Sequence, residues 1–300
     1  MYPSDKWTEQ ELQKLEKRLT DVYKQAEKEL DGKARNYFKQ FSRRYAKEYA
    51  AYQAGKYSKK EFEAWLMNQY GRGQRWGALR EDMARRLTES NQIAAAYINE
   101  KTPLIIALNR NFEAYMIKSL VPDKQIKEIG DIAFNLVDEH TVKRLTVRKQ
   151  KILPPRRVLK SKDVHWNKKK LQNALLQGIL QGDSIGKLAG RFQDVTGMNH
   201  TAAIRNARTA FTGAQNGGRQ AAYEEAYQMG IDVVKHWTAT KDLRTRDSHR
   251  ALDGEEVPCE GNLYYRGYNI KDLVNGFLAE GHYGFEETTV SYTHLRAHET

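Results

Sequence analysis

Asp242, Arg244, Arg246 and His249 fall within eight residues, shortly before an Asp253-Gly254 turn. This is the densest group of chemically capable side chains in the chain. An enzyme would use His249 as a general base, oriented by Asp242 or Asp247, with Arg244 or Arg246 holding a phosphate. The sequence offers no second base, no nucleophile motif and no glycine loop of the GxGxxG or GxxxxGK[ST] kind to complete such a site. The structural reading is preferred. Asp242 caps the turn after a strand, the arginines reach carboxylates or carbonyls, and His249 is a hydrogen-bonded histidine. A metal bound by His249, Cys259 and His282 is not expected, because spacings of ten and twenty-three match no compact zinc pattern. No catalytic residue, metal or cofactor is assigned.

A second polar group precedes it. Arg208, Thr212, Gln215 and Arg219 recur at offsets of four, three and four, which places them on one face of a helix. Beside them Ile204, Ala207, Phe211, Ala214, Gly218 and Ala222 form an apolar stripe. A solvated face usually mixes Lys and Glu. This one carries fork-shaped and amide donors with a hydroxyl, and it is expected to contact something particular.

The elements that must position these groups are long helices. Leu12, Leu15, Leu19, Val22, Ala26 and Leu30, continued by Phe41, Tyr45, Tyr49 and Tyr52, predict a helix from Thr8 to about Gly55. Its tyrosines read as a helix–helix seam rather than a ligand box. Ser58 and Glu61 form a capping box that opens a second helix, with Phe62, Trp65 and Leu66 inward. Helical spacing resumes over Leu79–Leu87 and again over Ile93–Leu120, where Val121-Pro122 ends it, and a shorter helix is expected near 123–136. Trp166 introduces a further helix, with Leu171, Ala174, Leu175, Gly178 and Ile179 on one face. Gly182 closes it and Ser184 caps the next. Asn199 is expected to cap the helix that carries the polar row, and Gly230 to end it. Ile231–Thr238 reads as a strand by its β-branched and aromatic content. Trp166 and Trp237 are expected as core anchors.

Composition fits this picture. Of 300 residues, 40% are hydrophobic and 29% charged, as in a long-helix protein with limited core per residue. The formal charge of +12 favours nucleic acid, an acidic protein surface or anionic lipid. Lys143 to Lys170 holds twelve basic residues and one acid, Asp163, and accounts for nearly all of that excess. Pro154-Pro155 forbids a continuous helix there. The segment reads as a solvated basic linker, or alternatively as a nucleic-acid contact through Lys143, Arg144, Arg148, Lys149, Lys151, Arg156, Arg157, Lys168, Lys169 and Lys170. One cysteine excludes a disulfide framework within this chain. No apolar run approaches the ~18 residues of a membrane span, and the first residues lack the apolar core of a secretory signal.

The last eleven residues, VSYTHLRAHET, resemble the translation of a transposase-type sequencing adapter. They are expected not to be native, so the natural C-terminus is expected to be missing. His294 and His298 then carry no meaning.

Across about Trp166 to Gly254 the chain resembles the phage head morphogenesis family, the Mu F-like minor head (minor capsid) proteins. The residues that carry the resemblance begin with Arg205, Asn206, Arg208, Thr209, Thr212, Gln215, Asn216 and Arg219. They continue with Trp237, Asp242, Arg244, Arg246, His249 and Gly254. The family's terminal Cys-x-Cys element does not appear before the tail. The resemblance implies a non-enzymatic structural protein of the virion head and procapsid, made in the bacterial host cytoplasm. Its implied partners are the portal protein and other head proteins, with a role in DNA packaging or delivery and phage DNA as a further partner. The motif residues would stabilise the domain and present it to a partner. The expected fold is mainly α: long N-terminal helices over 1–140, a basic linker over 141–165, and a head morphogenesis domain over 166–289. That last domain is expected as a helical bundle followed by a small, truncated α+β part.

Overall fold

The structure is a computed structural model. It describes residues 3–71, 74–121, 134, 136–138, 140, 142, 157–181, 183–231, 233–236, 253–254, 256–258, 264–265 and 268–269. The fold is mainly α. Its helices are α1 (Pro3–Gln53), α2 (Lys59–Gly71), α3 (Gln74–Leu120), α4 (Lys160–Leu180) and α5 (Ile185–Gln228).

Local chemistry sets several boundaries as expected. At the start of α2 the Ser58 amide donates to Glu61 Oε2 at 2.8 Å and the Glu61 amide donates to Ser58 Oγ at 3.3 Å, closing the capping box. At the end of α5 the Gly230 amide donates to the Tyr227 carbonyl and the Ile231 amide to the Ala226 carbonyl. This is a Schellman cap. It requires the left-handed backbone that Gly230 adopts at φ 84°.

The chain packs as two compact units. The first joins residues 1–116 to 134–222, and the second joins 117–133 to 223–300. α1, α3, α4 and α5 share the core of the first unit. One cluster holds Leu15, Leu19 and Tyr23 of α1, Ile98, Ile105 and Ile106 of α3, and Ala207, Phe211 and Ala214 of α5. A second holds Leu30 and Phe38, Trp76, Met83 and Leu87, Leu171 and Leu175, then Leu188 and Phe192. Phe192 stacks on Phe38 and on Trp76, with centroids 5.9 and 5.8 Å apart. The N-terminal tyrosines form a seam as expected: Tyr52 stacks on Phe62 at 5.1 Å, and Tyr45 and Tyr49 also pack on Phe62.

Four expectations are corrected. α3 is one helix, not two. α5 is continuous from Ile185, so Asn199 is not a cap but a buried residue in mid-helix. α4 begins at Lys160, six residues before Trp166. Trp166 is 41% exposed and anchors no core; Trp76 is the buried tryptophan of this unit.

In the second unit the described residues include β1 (Val234–His236), which pairs antiparallel with β2 (Glu256–Pro258) in the register Val234↔Pro258. β3 (Tyr264–Tyr265) pairs with β4 (Tyr268–Asn269). The helix expected near 123–136, apart from residues 134 and 136, and the adapter-like tail lie outside the described residues.

Candidate functional site

The motif residues of α5 divide between two faces. On the one turned toward α1, Arg208, itself exposed, donates from Nε to Glu16 Oε1 at 2.6 Å. Gln215 Nε2 and Arg219 Nη2 both donate to Asp5 Oδ1, near the start of α1. Arg219 also donates to Ser4 Oγ at 3.3 Å and lies 3.7 Å from Glu113 of α3. The row expected to meet something particular meets the protein's own first helix. Asp5 lies in the first turn of α1, where a carboxylate complements the unsatisfied amides of the helix end.

Arg205, Thr209, Thr212 and Asn216 are exposed. Their offsets of four, three and four keep them on one face, so they make a second, outward row. Thr209 Oγ1 donates to the Arg205 carbonyl. Asn206 is half-buried. Beside the outward row an open groove of about 370 Å³ is lined by His200, Thr201, Ile204, Arg205, Arg208 and Thr209.

His200 ties this groove to α1. Thr20 Oγ1 already donates its proton to the Glu16 carbonyl, so it accepts from His200 Nε2 at 3.1 Å. The imidazole also lies against the Tyr23 ring at 5.4 Å. Burial lowers the His200 pKa from its ordinary 6.5, with Glu16 and Glu27 opposing the shift and Lys24 reinforcing it. A lowered folded-state pKa means the unfolded chain takes up the proton first. His200 therefore supports folding fully above about pH 6.5, and that support is lost as the pH falls through its folded-state value. The melting temperature is expected to fall from pH 7.5 to pH 5.5 more steeply in the wild type than in His200→Gln. Equal slopes would show that this histidine does not couple the two helices to pH.

Two motif groups fare differently. Trp237, Asp242, Arg244, Arg246 and His249 lie outside the described residues, as do Cys259 and His282. Gly254 is described, with φ 91° in the turn after Asp253. Of the basic segment, Lys143, Arg144, Arg148, Lys149, Lys151 and Arg156 lie outside the described residues. Arg157 and Lys169 are exposed, Lys168 is paired with Glu81, and the Lys170 ammonium lies 5.3 Å from the centroid of the Trp166 ring.

A polar cluster in the first unit was not foreseen. Asp163 accepts hydrogen bonds from Thr88 Oγ1 (2.7 Å), Asn91 Nδ2 (2.9 Å) and Asn167 Nδ2 (3.1 Å). Asn91 also donates to Asn199 Oδ1 and accepts from the Tyr23 hydroxyl, while Asn199 Nδ2 donates to Asn167 Oδ1. The signal was present in the sequence: Asp163 is the one acid among twelve bases.

Residues 169–269 match the family described as Phage Mu protein F like protein. The chain is 25% identical over 262 residues to the minor head protein GP7 of Bacillus phage SPP1, a match spanning 86% of this chain and 75% of that one. The chain is similar to Mu F-like minor head proteins. That similarity supports a structural role in the phage head, among other head components. The chain is also 35% identical over 99 residues to an NAD(+)–arginine ADP-ribosyltransferase of Enterococcus faecalis. That match covers a third of this chain and only a fifth of the enterococcal protein's length. No solved structure matches the chain. Among the described residues no helix is long and apolar enough to cross a membrane, and no cluster of His, Cys, Asp or Glu could hold a metal ion.

Proposed function

We propose that this Mu F-like protein is a non-enzymatic minor head component of the virion. It joins the procapsid at the portal vertex through the outward row of α5, and it acts in DNA packaging or delivery. The observation that carries the reading is the division of the motif on α5. Arg208, Gln215 and Arg219 are engaged by Asp5, Glu16 and Glu113, whereas Arg205, Thr209, Thr212 and Asn216 face solvent beside a groove. Side chains that fasten a helix internally are not available to a partner. An exposed row of polar side chains on a helix is, and it meets the partner without the cost of ordering a backbone segment.

Replacing Arg208 and Arg219 by Ala would therefore test stability, since both side chains are engaged within the protein. The contact test is Arg205→Ala with Thr212→Ala and Asn216→Ala, co-produced with portal, scaffold and major capsid proteins. Circular dichroism and melting temperature should match the wild type, because surface changes away from such contacts alter stability by at most about 0.5 kcal/mol. The amount of the variant recovered in purified procapsids should fall several-fold. Wild-type incorporation would rule out the outward row as the docking face.

A further inference from the structure

We infer that the exposed face of α4 is a docking surface for an acidic amphipathic helix of a partner protein. The surface goes beyond the head role proposed above and does not depend on it. Leu159, Lys162, Trp166, Lys169, Asn173 and Leu176 are all exposed and follow one another at offsets of three, four, three, four and three. That spacing puts them on one face, in the alternation of a helix that pairs with another helix. Leu159 stands just before α4, its carbonyl accepting the Asp163 amide at 2.9 Å. Leu159, Trp166 and Leu176 are 59%, 41% and 40% exposed. Single apolar side chains on a surface need no account, but a row of them on one face marks an interaction surface. The other side of the helix is already fixed, with Leu171, Leu175 and Asn167 buried. Docking therefore does not have to fold α4.

Charge selects the occupant. Lys162 and Lys169 alternate with the apolar side chains, and neither has a hydrogen-bond or ion-pair partner among the described residues. Lys170 holds its ammonium over the Trp166 ring. The one acid of α4, Asp163, is engaged by Thr88, Asn91 and Asn167. The face thus combines apolar anchors with cations and has no carboxylate of its own.

Other occupants fit less well. A second copy of α4 would set lysine against lysine in a parallel pairing and supply no countercharge in an antiparallel one. A phosphate backbone would satisfy the lysines but leave Leu159, Trp166 and Leu176 in water. A lipid surface takes helices whose cations are segregated from a broad apolar face, whereas these lysines interleave with the anchors. A helix with apolar residues along its seam and Asp or Glu beside them matches both features. Its apolar side chains cover Trp166 and the two leucines, and its carboxylates meet the ammonium groups at the rim.

The test is fluorescence anisotropy with the full chain and two labelled helical peptides of about three heptads that share a leucine seam. One carries glutamate beside the seam and the other lysine. The wild type should bind the glutamate peptide, more weakly as salt is raised, and should not bind the lysine peptide. Trp166→Ala should weaken binding roughly tenfold or more, as expected of a central aromatic anchor. Lys162→Glu with Lys169→Glu should lose the glutamate peptide and gain the lysine one. Lys39→Gln with Lys47→Gln on α1 should bind as the wild type does, and so should Arg205→Ala with Thr212→Ala and Asn216→Ala. Every substituted position is exposed, and circular dichroism verifies that each protein is folded. Absence of wild-type binding to the glutamate peptide would overturn the proposal, as would undiminished binding by Trp166→Ala or a charge-reversed variant that keeps its preference. Competition by random-sequence duplex or by vesicles of anionic lipid as effective as that by unlabelled glutamate peptide would give the face to a phosphate surface instead. Sedimentation showing a dimer that Trp166→Ala dissociates would give it to a second copy. Because binding is read on the isolated chain, failure here leaves the procapsid result untouched, and the reverse also holds.

Discussion

Gly218→Ala is expected to lower the melting temperature of the first unit, while Gly217→Ala, one residue earlier on the same helix, raises it. Both glycines lie inside α5, where replacing Gly by Ala gains about 1 kcal/mol of helix propensity. They differ in what a methyl group would meet. At Gly217 nothing lies within 4 Å. At Gly218 the new Cβ would overlap the Ile106 carbonyl oxygen and come within 3.0 Å of the Arg110 amide nitrogen and 3.2 Å of Asn109 Cβ. Backbone of α3 cannot rotate aside as a side chain would, so the two helices must separate. Overpacking of a tight site costs about 1–3 kcal/mol, and a backbone clash belongs at the upper end. The net loss is then about 2 kcal/mol after the propensity gain, or roughly 4–8 °C for a unit of this size. Gly217→Ala should gain about 2–4 °C. Thermal denaturation of the two variants decides the matter. A rise for both would mean that α3 and α5 do not cross in contact at Gly218. The crossing also bears on the site, since Arg219 reaches Asp5 and Glu113 from the adjacent position.

Much of this arrangement was legible in the sequence, and the part that was not has a common cause. Apolar periodicity identified the stripe of α1 through Leu15, Leu19, Ala26 and Leu30, all of them buried. Capping chemistry located Ser58, Ser184 and Gly230. The long helices were nevertheless cut at three places: between Leu87 and Ile93 in α3, before Asn199 in α5, and at Trp166 rather than Lys160 in α4. Each interruption falls where polar residues take inward positions. Thr88, Ser90, Asn167, Thr196 and Asn199 are all buried. A periodicity argument counts apolar residues as inward and polar residues as outward, so a buried polar layer looks like a helix end. The motif on α5 was misjudged for a related reason. Spacing placed Arg208, Thr212, Gln215 and Arg219 on one face, but spacing cannot say that Asp5 and Glu16 stand opposite three of them. The carboxylates that receive those donors lie about two hundred residues away in the chain, and only the packing of α1 on α5 brings them together.

Asp163→Ala should show what that polar layer contributes. Its carboxylate is the acceptor on which Thr88, Asn91 and Asn167 converge, and through Asn91 and Asn167 the layer continues to Tyr23 and Asn199. One residue thus connects α1, α3, α4 and α5. Burial and the Asp163 charge both raise the Tyr23 pKa, as expected where a phenol is held neutral and donating. Removing the carboxylate leaves three donors facing a site too enclosed to hydrate freely. Each unsatisfied donor costs about 1–3 kcal/mol, and Asn91 and Asn167 retain second acceptors that soften the loss. A destabilisation of about 3 kcal/mol is expected, equivalent to roughly 6–12 °C. Asp163→Asn, which keeps one carbonyl acceptor, should lose less. Adding Asn167→Leu and Thr88→Val to Asp163→Ala should recover part of the deficit, because replacing both partners by apolar groups removes the stranded donors. Recovery separates a polar network from simple packing. If the triple variant is no more stable than Asp163→Ala alone, the cost comes from missing volume, and the layer has no role beyond filling space.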